Sequence, residues 1–235
     1  MSLFISDAAL LRRARIAGAL SLLTILGGLF AQGYVYGGLV ADDAGVTAAN
    51  LLAHKTLYQA GFAVFLMEMA AQVAATALYY FLLKPVDEGV ATVSAFLSLV
   101  GCAVKTTGRL FFIAPLFVLA GAHPLAFSAE ESHSLVMLLF RLTDRAAEMG
   151  LFFFGLYAIL NGYLIFRSTF LPRILGVPGM IAGVGWLTFM YPPLAHRLFP
   201  IIVGIALIGS LALIGWLLVK GVDVRRWKAV AGVES

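Results

Sequence analysis

The chain has 235 residues, of which 62% are hydrophobic and 12% charged, and its net charge is +4. Soluble domains run at about 45–50% apolar and about 25% charged residues, so this composition excludes an ordinary soluble enzyme and indicates a membrane protein embedded over nearly its whole length. The basic balance belongs to the loops between spans, since no nucleic-acid motif accompanies it, and the single Cys102 excludes an intrachain disulfide and, by itself, a thiolate metal centre.

Apolar stretches of about 20 residues, cut by polar breaks, predict an all-α polytopic bundle of about six transmembrane helices in one integral domain, 1–235. The spans fall near 15–39, 56–83, 90–121, 133–166, 174–192 and 199–220. The first follows "LLRRAR", which has the look of a secretory n-region, but the apolar run is long and reads as an anchor. It carries Gln32. After "ADDAGVTAANLLAHKT", the second span supplies Glu68 and Gln72 at i, i+4; after "KPVDEG", the third supplies Lys105 and Arg109 at the same spacing.

"GAHPLAFSAEES" leads into the fourth span, which holds "FRLTDRAAEMG" at 140–150. Arg141, Arg145 and Glu148 share a helical face at i, i+4 and i+7, with Asp144 beside it. One Arg, Lys or Asp at the centre of a span costs about 2.5–3.5 kcal/mol on insertion scales, so these groups are expected to face partners or water. "RSTFLPR" leads to the fifth span, where Gly179 and Gly183 have the GxxxG spacing of close helix packing and Trp186 and Tyr191 approach the far end. "PPLAHRLF" precedes the sixth.

Lys and Arg are asymmetric along this threading. Arg12, Arg13, Arg15, Lys84, Arg167, Arg173 and the basic residues from Lys220 onward lie on one side, with Lys55 and Arg197 on the other. The positive-inside rule therefore predicts that both termini are cytoplasmic. Counting 1.5 Å per residue places the polar groups between mid-membrane and the external face, in a pocket lined by Gln32, Glu68, Lys105, Arg109, Arg141, Asp144, Arg145 and Glu148. The cytoplasmic half is expected to be sealed by apolar and aromatic groups. His54, His123, His133 and His196 fall on or near the external side, but no HxxxH, CxxCH or Glu-x-x-His motif accompanies them, so no metal or cofactor is expected. GxSxG, P-loop and GxGxxG templates are likewise missing in a strand-to-helix context.

The stretch "NGYLIFRSTFLPRILGVPGMIAG" (161–183), with "ARIAGALSLLTILGG" near the start and "LYYFLLKPV" at 78–86, resembles a bacterial family of integral membrane proteins catalogued as a domain of unknown function. The resemblance covers most of the chain and implies a helical protein of the bacterial inner membrane. It supplies no activity.

Three function classes remain. The first is an intramembrane enzyme or binding protein for a lipophilic molecule with a polar or anionic head, such as an isoprenoid, sterol-like or fatty compound. Lys105, Arg109, Arg141 and Arg145, with Gln32, Gln72, Trp186 and Tyr191, would hold it. Glu68, Asp144 or Glu148 would move protons, as in an isomerase or cyclase. The second is a proton-coupled small-molecule transporter using the same acids as a relay. The third is an accessory subunit of a larger membrane complex, with the charges as a structural network. A homo-oligomer is compatible with each.

Overall fold

The computed structural model describes residues 6–120 and 127–233, and every regular element among them is helical. Six stretches are long and apolar enough to cross a membrane: α1 (Asp7–Leu39), α3 (Lys55–Leu83), α4 (Glu88–Leu119), α5 (Ala129–Arg167), α6 (Arg173–Met190) and α7 (Pro192–Val219). Two shorter helices, α2 (Ala44–Ala53) and α8 (Val224–Ala231), lie in segments that hydropathy alone treats as loop or tail. Large apolar side chains such as Met67, Phe96, Leu110, Ile208 and Val219 are 60–72% exposed. A surface of that kind fits lipid rather than water, because lipid tails are as apolar as the side chains themselves.

The helices start earlier and run longer than their apolar cores. α1 begins at Asp7 rather than near 15, because Arg12, Arg13 and Arg15 are good helix formers even though they lower the hydropathy. Asp43 caps α2, accepting from the Val46 N–H at 2.8 Å, and Asp223 caps α8 through the Arg226 N–H at 3.0 Å. Gly232, with φ +65°, ends α8 in the left-handed conformation that glycine adopts without strain.

Two compact units divide the chain. One comprises residues 1–22, 71–102 and 149–235. Its core joins Leu10, Ala14 and Ala17 of α1 to Tyr79, Leu82, Leu164, Leu217 and Trp227. Within it α5 and α6 touch backbone to backbone: a Cβ on Gly155 would stand 2.8 Å from the Gly183 carbonyl oxygen, and one on Gly162 would stand 2.5 Å from that of Gly176. The Gly183 expected to pack does so, and its counterparts are on α5.

The other unit comprises residues 23–70 and 103–148. Here α1 passes through a π-helical stretch, Leu29–Tyr36, a conformation that is rare and often found at functional sites. Ala31 and Val35 from that stretch are fully buried, and Val35 packs where a Cβ on Gly61 of α3 would meet it at 2.7 Å. A Cβ on Gly108 of α4 would stand 2.5 Å from the Ala146 Cβ of α5. Pro115 inside α4 has no N–H, so the Phe111 carbonyl loses its helical donor and the turn loosens. The neighbouring Phe112 carbonyl accepts a hydrogen bond from the buried Tyr58 hydroxyl.

Candidate functional site

The charged residues of the second unit fall into three groups. Glu68 on α3 is 4% exposed, and its Oε1 accepts from Lys105 Nζ on α4 at 2.7 Å. Its other oxygen, Oε2, is buried with no hydrogen-bond partner among the described residues. The acid of the Glu68/Gln72 pair and a base of the Lys105/Arg109 pair are thus matched across helices, although one carboxylate oxygen keeps its acceptor capacity unused.

Arg109, one turn beyond Lys105, is 2% exposed and heads the largest fully buried side chains. Its guanidinium carbon lies 3.3 Å from the centre of the Phe65 ring, a cation–π contact. Among the described residues no carboxylate is close enough to ion-pair with it, and its Nε has no hydrogen-bond partner. Glu68, Asp144, Tyr36 and Tyr58 act on it only through their electrostatic field. The Phe65 ring meets Phe112 edge-on at 5.1 Å, Phe112 stacks on Tyr58 at 4.4 Å, and Phe140 stands edge-on to Tyr36 at 5.6 Å. A permanently charged, five-donor group therefore sits in an aromatic wall with donors to spare.

The third group is on α5. The Tyr36 hydroxyl, at the end of the π-helical stretch, lies 2.9 and 3.0 Å from the two oxygens of Asp144. Arg145 and Glu148 pair along the helix at 2.6 Å, with Arg145 61% and Glu148 15% exposed as side chains. Arg141 is exposed and unpaired among the described residues, so the face expected to hold Arg141, Arg145 and Glu148 together is split between inside and outside. Gln32 is also exposed, on the π-helical stretch.

The remaining expected binding residues belong to the first unit. Gln72 donates from Nε2 to the Ser98 hydroxyl at 3.4 Å; that hydroxyl lies 2.7 Å from Thr76, which donates back to the Gln72 carbonyl at 2.8 Å. That closed ring leaves Gln72 a structural role. Trp186 packs against Phe189 and Phe199, and Tyr191 is 65% exposed at the start of α7. His196 packs edge-on to Phe189, the His54 ring nitrogen contacts the Asn50 carbonyl at 3.1 Å, and His123 lies outside the described residues. No group of three or more metal-binding side chains occurs among the described residues.

Sequence reasoning missed the aromatic residues Tyr36, Tyr58, Phe65, Phe112 and Phe140, which in the text are ordinary apolar members of their spans. Nor did it single out the polar groups around Tyr157 and Asn161 in the first unit. A narrow cavity there, with room for about one water molecule, is lined by Thr76, Tyr79, Ser94, Tyr157 and Asn161. Asn161 is 9% exposed.

Comparison with known proteins adds a family without a chemistry. The model of a domain of unknown function (DUF4386) matches residues 16–221. An uncharacterised protein of Archaeoglobus fulgidus is 24% identical over 164 residues, which cover 67% of this chain and 81% of the relative. No solved structure matches.

Proposed function

The chain belongs to the DUF4386 family, and from that premise we propose that it is an intramembrane binding protein or enzyme for a lipophilic molecule with an anionic head. A single observation carries this reading: among the described residues the buried Nε of the Arg109 guanidinium has no hydrogen-bonding acceptor, and the buried Glu68 Oε2 has no donor. A carboxylate or phosphate head supplies the acceptors that Arg109 lacks, in the bidentate geometry that guanidinium favours. The rings of Phe65, Tyr58 and Phe112 suit the apolar part of such a molecule. Glu68 Oε2 and the Tyr36–Asp144 pair are the groups that would accept or donate a proton, so isomerisation or cyclisation by general acid–base chemistry is the matching reaction class. The address we assign is the cytoplasmic membrane of a prokaryote, with both termini on the cytoplasmic side. The archaeal relative is the reason for not restricting it to bacteria.

The accessory-subunit reading draws on a different observation, the self-matched Glu68–Lys105 and Arg145–Glu148 pairs. One experiment separates the two. The protein is purified gently from its own membrane, its bound lipids are extracted, and mass spectrometry compares wild type with Arg109→Met and Arg109→Lys. A discrete anionic amphiphile present in wild type, absent from Arg109→Met and reduced in Arg109→Lys is the expected result. No such molecule, or equal amounts in all three folded proteins, overturns the ligand reading.

A further inference from the structure

A second ligand chemistry is written at the end of the first unit where α1 begins. α8 is short but firmly placed. The buried Trp227 donates from Nε1 to the Leu82 carbonyl at 2.8 Å and stacks on Phe81 at 5.9 Å, while the Arg13 guanidinium covers Phe81 at 4.0 Å. Lys228 pairs with Asp7 at 2.7 Å, and the Asp223 N–H donates to the Phe170 carbonyl at 3.1 Å. Gly221, at φ +69°, turns the chain so tightly that a Cβ there would meet Leu11 of α1 at 2.9 Å. These contacts hold α8 against the first turns of α1.

The surface of these two elements carries unmatched positive charge. Leu10, Ala14 and Ala17 form the buried face of α1, which leaves Arg12 and Arg15, spaced i, i+3, on the opposite face. Both are exposed, as is Arg225 on α8, and none of the three is ion-paired among the described residues, whereas Arg226 and Lys228 are matched by Asp223 and Asp7. The same face of α1 continues directly into exposed Ile16 and Ala19. A ligand for it carries a negative head followed at once by an apolar chain. We propose that Arg12, Arg15 and Arg225 form a headgroup site for an anionic phospholipid, gripping its phosphodiester while an acyl chain runs along Ile16 and Ala19.

The test uses the full chain reconstituted in nanodiscs containing equal phosphatidylglycerol and phosphatidylcholine, released into the gas phase so that retained lipids are counted by native mass spectrometry. Each arginine that grips the headgroup is worth about fivefold in preference for anionic lipid. Wild type is expected to retain phosphatidylglycerol preferentially, Arg225→Gln to lose about fivefold of that preference, and the Arg12→Gln/Arg15→Gln/Arg225→Gln variant to lose nearly all of it. Lys55→Gln/Arg197→Gln, which removes charge elsewhere, is expected to behave as wild type. Equal preference in wild type and Arg225→Gln, or an equal loss in the Lys55→Gln/Arg197→Gln control, overturns the site. Displacement of phosphatidylglycerol from wild type by excess inorganic phosphate overturns its assignment to a lipid. Arg225→Gln leaves α1 untouched, so the proposal stays testable even where the triple variant does not insert.

Discussion

Substituting Lys105 with Met tests whether Glu68 is enclosed. In the wild type the 2.7 Å contact to Lys105 Nζ is the hydrogen bond Glu68 makes among the described residues, its second oxygen is already unpartnered, and the residue is 4% exposed. Removing the ammonium leaves a buried carboxylate with neither a counter-charge nor a donor, a loss of about 3–5 kcal/mol. The reverse substitution, Glu68→Gln, costs less, because the Lys105 side chain is 19% exposed and its flexible stem can carry the ammonium toward water. Replacing both, as Glu68→Gln/Lys105→Met, removes the desolvated charges together, and the net change falls to about 1 kcal/mol or less. A double-mutant cycle on reversible unfolding in mixed micelles therefore returns a coupling of about 2–4 kcal/mol. A double variant as unstable as Lys105→Met alone would refute the reasoning, since it would mean that water reaches Glu68 and that no enclosed acid exists at this position.

Three further outcomes follow from the packing. Gly108→Ala places a methyl 2.5 Å from the Ala146 Cβ, so unfolding experiments are expected to show a loss of about 1–3 kcal/mol, recovered in Gly108→Ala/Ala146→Gly. Trp227→Phe removes the donor to the Leu82 carbonyl and is expected to cost about 1–2 kcal/mol, with protease cleavage near α8 accelerated before the rest of the chain. Asn161→Leu reads the polar cavity by its sign: a water joining Asn161 to the Tyr157 hydroxyl makes the substitution destabilising by about 1 kcal/mol, whereas a gain in stability would show the cavity dry.

The spans were legible because length and apolarity are set by the bilayer, and a run of about 20 apolar residues has few other uses. Their ends were less so: hydropathy stops at Arg15, whereas the helix begins at Asp7. α2 had a readable signal in Asp43 followed by buried Thr47, Ala48 and Leu51, and α8 had one in the Asp223 and Gly232 pair flanking it. Within the site, local spacing found Glu68, Lys105 and Arg109 as polar members of apolar helices, but could not reveal what each one meets. Tyr36 reaches Asp144 from 108 positions away, and it does so at the end of a π-helical stretch. An α-helical count cannot carry its register through such a stretch. Arg141 shows the opposite error, since spacing that joins three residues on one face of a helix does not say which of them turns toward the protein.

The magnitudes around Arg109 decide between an architectural and a ligand-binding guanidinium. Removing an ion from water costs several kcal/mol even after the surroundings relax, and a charged residue at mid-membrane costs about 2.5–3.5 kcal/mol by insertion scales. The contact with Phe65 returns about 2 kcal/mol when desolvated, and no hydrogen bond or ion pair among the described residues adds to it. Two charge-assisted hydrogen bonds to one anionic head, at about 1.5–3 kcal/mol each, close that gap. Arg109→Met replaces the guanidinium that covers Phe65 with an uncharged apolar group. It is thus expected to leave the ligand-free protein at least as stable as wild type, while abolishing the rise in melting temperature that the extracted amphiphile gives the wild type on add-back. A loss of more than about 3 kcal/mol in the ligand-free variant would instead assign the guanidinium to the architecture of the bundle.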